Sequence, residues 1–186
     1  MNPTVHVYRL AGDWRESGHA LLGLLSRYTG MEPAAIRLAR SEKGKPYLPD
    51  SDVFFNLSHT SNLALIAVAR GVEVGVDVEA IQPRVDPEAI AGRFFHPAER
   101  EALEMTRSGA KLELFYRIWV RKEAFVKAVG GGLSMGLEQF SVHPVCLNVH
   151  PWTIWDLDAD AGYAAALAVR APACVIQCFD LGGGRF

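Results

Sequence analysis

The stretch Val74-Gly-Val-Asp77-Val-Glu79 alternates apolar and acidic residues with a period of two, the period of a β-strand. Side chains along a strand alternate faces, so Asp77 and Glu79 project from one side and Val76 and Val78 from the other. A chain that buries the valines therefore holds two carboxylates in one small space. Like charges held that close repel, and without a cation one of them tends to keep its proton. The pair needs solvent or a hard cation such as Mg2+. An acidic pair ending a strand on a solvated face meets the first condition and carries no chemistry, so this pattern alone leaves both readings open.

About forty residues on, Leu112 to Val129 lacks Gly and Pro and repeats apolar residues at three and four, which predicts a long and largely buried helix. Trp119, Lys122, Glu123 and Lys127 are related by steps of three and four and are expected along one face. Glu123 with Lys127 is, at minimum, an i,i+4 ion pair of a few tenths of a kcal/mol on an exposed surface. Ile118, Val120, Ala124, Phe125, Val126 and Ala128 give the same stretch so much apolar surface that part of the charged stripe must border buried material. A third carboxylate between two lysines on an inner face suits an anionic ligand together with its metal.

The whole chain permits this. Its 186 residues suit one compact domain or two small halves, and 49% apolar content with a formal charge of -2 describes a soluble globular protein. No basic excess points to nucleic acid. There is no apolar run of membrane-spanning length, and Met-Asn-Pro-Thr-Val-His lacks the features of a secretory signal, so no membrane and a cytoplasmic location are expected. Cys146, Cys174 and Cys178 are odd in number and are expected as buried reduced thiols rather than disulfides or a zinc site.

Five motifs in one order give a resemblance. Gly44-Lys45-Pro46, Asn56-Leu-Ser58-His59-Thr60, Gly75-Val-Asp77-Val-Glu79, Phe94-Phe95-His-Pro-Ala-Glu99, and Trp119-Val-Arg-Lys122-Glu123-Ala-Phe-Val-Lys127 with Gly132-Leu133-Ser134 resemble the Sfp-type 4'-phosphopantetheinyl transferases. These enzymes load acyl carrier proteins with the coenzyme A arm. The resemblance implies an α+β fold in which a pseudo-twofold relates two similar halves, each a long helix packed on a small antiparallel sheet. The halves would be residues 1–79 and 80–186, with the active site between them. Strands are expected at Val5 to Leu10, Ile36 to Arg40, Val53 to Ser58, Leu63 to Arg70 and Val72 to Glu79, then at Gln139 to His143, Val149 to Leu157, Tyr163 to Arg170 and Cys174 to Leu181. Helices are expected at Trp14 to Tyr28, Asp86 to Phe94 and Pro97 to Thr106, besides the long one. The tail Gly182 to Phe186 is expected to be mobile.

By the same resemblance Asp77, Glu79 and Glu123 would hold Mg2+, and Lys122 and Lys127 would lie near the phosphates of coenzyme A. Lys45 and Pro46 would contact a coenzyme A phosphate, and Ser58 and His59 would donate toward the 3'-phosphate. Glu123 or Glu99 would take the proton of the carrier serine, although Glu99 in Pro97-Ala-Glu99 equally suits a first helical turn, where an acid complements the dipole. The implied partners are coenzyme A and an apo acyl carrier protein. Arg93, Arg100, Arg117 and Arg121 are candidates for docking the latter. Larger relatives have a basic stretch before the first helix. Here that region offers Arg15 and His19, and Arg37 and Arg40 either compensate or protect a strand edge.

Ser58-His59 is no hydrolase dyad, because neighbours on a strand face opposite ways and no Gly-x-Ser-x-Gly elbow occurs. A Mg2+-dependent phosphohydrolase or nucleotidyl transferase would use the same acids but leaves five ordered motifs unexplained. A non-catalytic docking module would need the arginines and not the acids. Since one chain can supply both halves of the site, a monomer is favoured over the trimeric arrangement of the small holo-carrier synthases.

Overall fold

A computed structural model describes residues 2–132, 135–147 and 149–181. Leu133 and Ser134 of the last motif, and the tail 182–186, lie outside the described residues.

The apolar run Leu63–Arg70 decides the layering. As strand β5 every residue but the last is buried, which requires cover on both faces. Ile66 and Val68 pack against Leu21, Leu24 and Leu25 of helix α1 (Ser17–Thr29), while Leu63, Leu65, Ala67 and Ala69 face the opposite way into a second apolar cluster. Beside β5 lie β1 (Thr4–Ala11) and β4 (Val53–Thr60), and the C-terminal strand β11 (Val175–Asp180) completes a sheet of order β11-β1-β5-β4.

The second apolar cluster is closed from below by a three-stranded antiparallel sheet of β6 (Val74–Ala80), β10 (Tyr163–Val169) and β9 (Thr153–Leu157), in the order β6-β10-β9. Val74, Val76 and Val78 of β6 and Ala165, Leu167 and Val169 of β10 point into it. The other face of this sheet carries Ala166 and Ala168 of β10 into the cluster built by α4 (Ser108–Val129). The result is helix, sheet, sheet, helix: a mixed α+β architecture.

Smaller elements surround these layers. The strand expected over Ile36 to Arg40 shortens to β2 (Ala39–Arg40), because Pro33 opens a 3-10 turn over Pro33–Ala35 instead. β2 pairs with β3 (Pro46–Tyr47) in a hairpin whose turn uses Gly44 at φ +86, a conformation glycine adopts without cost. Helices α2 (Pro87–Phe94) and α3 (Pro97–Met105) pack beside α4, and β7 (Ser141–Val142), which pairs with β8 (Cys146–Leu147), lies against α3 and α4.

The sheets do not divide at residue 80. β6 pairs with β10 of the C-terminal part, and β11 returns to pair in parallel with β1, so the first sheet contains one parallel pair where antiparallel pairing is expected. Each sheet thus takes one edge strand from the other side of that position, β11 in the first and β6 in the second. All three cysteines are free thiols, but none is buried as expected: Cys146 is exposed and Cys174 and Cys178 are half-buried. No helix among the described residues is long and apolar enough to cross a membrane.

Candidate active site

Gly75 shares a face of β6 with Asp77 and Glu79, and that face meets α4. A Cβ on Gly75 would fall 2.2 Å from the Ala124 carbonyl oxygen and 2.3 Å from the Ala128 amide nitrogen. Its missing side chain, with Ala166 and Ala168 beneath the same helix, lets α4 lie directly on the sheet. Glu123 and Lys127 are thereby delivered to the acids of β6.

At the centre is Asp77, only 2% exposed. Its Oδ1 accepts hydrogen bonds from Ser58 Oγ at 2.8 Å and from Lys127 Nζ at 2.5 Å, and Lys127 Nζ also donates to Ser58 Oγ at 2.8 Å. Its Oδ2 is buried without a hydrogen-bond partner. Burial, and next the charge of Asp77, pushes the Glu79 carboxyl above the ordinary carboxylate range, partly opposed by a hydrogen bond from Thr60 and by Lys127. Glu123 is pushed the same way, first by burial and next by Asp77, with Glu79 adding to the shift and Lys127 opposing it. The three acids expected to share a site thus lie within one another's fields, with the Lys127 ammonium as counter-charge.

They do not form a closed ligand cage: among the described residues no three His, Cys, Asp or Glu side chains are set to hold a metal ion. The donor set nevertheless suits a hard divalent cation. It consists of carboxylate oxygens, one of them buried and unpartnered, in a space where three like charges are costly.

A cavity of about 300 Å³ opens from this cluster, lined by Glu123, Lys127, Lys43, Lys45, Gly130 and Gly132 among others. Pro46, Asn56 and Leu57 separate it from a second cavity of about 510 Å³, bordered by Trp14, Arg15, Arg40 and His59. His59 is stacked on Trp14 with ring centroids 4.0 Å apart and planes 6° from parallel. Arg40 therefore reaches this groove, whereas Arg37 turns away to the carbonyls of Ala34 and Ile36. Neither Trp14 nor Lys43 stood out in the sequence. A single aromatic before a helix and a lysine two residues from another carry no periodic signal; stacking on His59 sets Trp14 at the second cavity, and the turn of the β2–β3 hairpin brings Lys43 to the first.

Lys45 borders the first cavity but spends its ammonium on structure. Nζ donates to Ala128 O at 2.6 Å and Val74 O at 3.2 Å, and burial pushes its pKa down to about 8, with Glu73 opposing. It thereby satisfies a carbonyl at the C-terminal end of α4, where cations are favoured.

Lys122 and Glu99 are not brought to the cluster. Consecutive residues on a helix are turned by about 100°, so when Glu123 faces β6 the neighbouring Lys122 faces α3. Lys122 is 0% exposed, and its Nζ meets Glu99 Oε2 at 2.8 Å and the carbonyls of Leu137 and Phe140 at 2.7 Å each. Glu99 is equally buried, accepting from Val142 N at 2.7 Å and, in a capping box with His96, from His96 N at 2.9 Å. Both oxygens are committed. Neither side chain reaches the acids of β6; the pair fixes the chain after α4 to α3.

The model of the 4'-phosphopantetheinyl transferase superfamily matches residues 73–167, from just before β6 through most of β10, and so includes Asp77, Glu79, Glu123 and Lys127. The chain belongs to this superfamily. Among curated relatives, 4'-phosphopantetheinyl transferase HetI of Nostoc sp. is 38% identical over 159 residues, covering 80% of this chain and 67% of that protein. 4'-Phosphopantetheinyl transferase Sfp of Bacillus subtilis is 32% identical over 159 residues, covering 80% of this chain and 70% of its own. 4'-Phosphopantetheinyl transferase AcpT of Escherichia coli is 36% identical over 121 residues, 64% of this chain and 60% of AcpT. The chain is an enzyme of the 4'-phosphopantetheinyl transferase class.

Proposed function

We propose that this transferase moves the 4'-phosphopantetheine group of coenzyme A to a serine of an apo acyl or peptidyl carrier protein, leaving adenosine 3',5'-bisphosphate, and that it depends on Mg2+. The observation that carries the reading is the unpartnered, buried Oδ2 of Asp77 amid two further acids and a lysine at the mouth of a cavity. Asp77, Glu79 and Glu123 would hold the cation. Bound there, it would supply charge neutralisation for a diphosphate and stabilise the leaving phosphate oxygen.

The chain's own residues account for the remaining steps. Lys127, on Asp77 and Ser58 in the free enzyme, is the cation nearest the acids and would turn to the transferred phosphate; Lys43 and Lys45 border the same cavity. His59, Arg15 and Arg40, with Pro46 between the two cavities, would receive the 3'-phosphate end. Glu123 is the base in this reading. Its carboxylate lines the cavity where the serine hydroxyl would enter, and Glu99, wholly buried, is left out. Attack by the serine oxygen on the phosphorus bearing the pantetheine arm breaks the bond to the bisphosphate, whose growing charge is what the cationic groups stabilise.

Arg93, Arg100 and Arg117 are exposed and suit an acidic carrier, while Arg121 is held on Asp156 at 2.6 and 2.7 Å. We read the α1-covered and α4-covered sheets as pseudo-twofold halves with the site between them, and the enzyme as a cytoplasmic monomer. The test is mass spectrometry of apo carrier proteins incubated with the enzyme, coenzyme A and Mg2+. Gain of the phosphopantetheine mass is expected; no gain on any of several carriers would refute the reading.

A further inference from the structure

β6 pairs with β10 along one edge only. The amides on its other edge meet side chains of β4. Val76 N donates to Asn56 Oδ1 at 2.8 Å, Val78 N to Ser58 Oγ at 3.4 Å, and Ala80 N to Thr60 Oγ1 at 3.4 Å. Every second residue of one strand serves every second residue of the next, so β4 closes the edge through side chains where a backbone ladder would otherwise run.

The hydroxyls do more than accept. Ser58 donates its one hydrogen to Asp77 Oδ1 at 2.8 Å while taking bonds from Val78 N and Lys127 Nζ. A hydroxyl has one hydrogen and two lone pairs, so Ser58 is saturated, and at 5% exposure it has nothing left for a phosphate. Thr60 repeats half of the arrangement two residues on: its Oγ1 accepts from Ala80 N at 3.4 Å, the amide next to Glu79. Ser58 thus bridges Asp77 and the backbone amide that follows it, Thr60 holds the amide that follows Glu79, and Asn56 holds the start of the row.

We propose that Asn56, Ser58 and Thr60 form a hydrogen-bonded template that splices β4 to the open edge of β6, with Ser58 and Thr60 as positioning residues that aim Asp77 and Glu79 into the cleft. The inference rests on the reading of those acids as cation ligands. It gives the Asn-x-Ser-x-Thr spacing a purpose separate from ligand contact: His59, between the two hydroxyls, faces the other way and stacks on Trp14.

The experiment uses the full chain with Mn2+ as probe and coenzyme A present, with no carrier protein. Mn2+ binding is followed by electron paramagnetic resonance, and exchange of individual amides by NMR. Ser58→Ala and Thr60→Val should each weaken Mn2+ binding about tenfold, at the low end of what outer-shell partners of metal ligands cost. Thr60→Ser, which keeps the hydroxyl, should bind like wild type. Ser58→Ala should speed exchange at Val78, and Thr60→Val at Ala80, each leaving the other amide protected. Mn2+ affinities within about twofold of wild type in both hydroxyl-free variants, or a Thr60→Ser as weak as Thr60→Val, would overturn the template while leaving the transferase reading intact. A wild-type enzyme that binds no Mn2+ would overturn the cation reading and the positioning role with it. Should Ser58→Ala fail to fold, the Thr60 pair decides alone.

Discussion

Gly75 and Ala124 touch backbone to backbone: a Cβ on the glycine would lie 2.2 Å from the Ala124 carbonyl oxygen, closer than any real contact. This contact seats the helix bearing Glu123 and Lys127 on the strand bearing Asp77 and Glu79. The glycine of the Gly-Val-Asp-Val-Glu run is thus a packing residue whose consequence is chemical, because it sets the separation of the acids.

Gly75→Ala should therefore be severe. The obstructing atoms belong to the helix backbone and cannot rotate aside, so α4 must lift. Overpacking of this kind costs about 1–3 kcal/mol or more, and transfer should fall further than stability because the acids separate. Urea denaturation and a carrier-loading assay on the same preparation check both; unchanged loading would show that the contact does not set the site.

Removing one member of the Glu99–Lys122 pair leaves the other charge buried without compensation. Lys122→Met and Glu99→Gln should each destabilise by about 3–5 kcal/mol. The double variant should lose less than the sum, since the charges vanish together. A double-mutant cycle by urea denaturation measures this, and strict additivity would mean that the two side chains do not interact.

Glu123→Gln should abolish transfer with little change in fold, as the residue is half-buried and the substitution keeps its shape. In the wild type the rate should fall as pH drops and Glu123 takes up a proton, which burial and Asp77 favour in the metal-free site, and raising Mg2+, which favours the ionised acids, should move that fall to lower pH. A pH profile of kcat/KM tests this; wild-type rates in the glutamine variant would remove Glu123 from the reaction.

Stability should depend on pH in the sense set by those raised acids. Between the ordinary value of 4.5 and their raised folded values, the native state binds more protons at Glu79 and Glu123 than the unfolded chain does. Unfolding free energy then falls as pH rises through that window, and the stabilisation present below 4.5 is lost above it. A divalent cation should reverse the loss at neutral pH, by about 2.7 kcal/mol at a hundredfold excess over its Kd. Thermal unfolding at pH 5 and 7.5, with Mg2+ and with a chelator, measures both; a Tm that Mg2+ leaves unchanged at pH 7.5 would exclude a cation on these acids in the free enzyme.

Much of this protein was legible in the chain. Period-two alternation in Val74 to Glu79 put the acids on one face, and a Gly- and Pro-free apolar repeat specified the long helix, because side-chain direction follows from local backbone geometry. The run Leu63–Arg70 similarly required burial on both sides. Tertiary packing decided the rest. Lys122 and Glu123 are neighbours in sequence, yet one is sealed on Glu99 and the other faces the cleft, since a helix turns about 100° per residue and the partner on each side comes from a distant segment. Which strand would complete which sheet, which hydroxyls of β4 would reach the acids, and where Trp14 and Lys43 would lie depended equally on contacts between remote parts of the chain, and no local pattern encodes those.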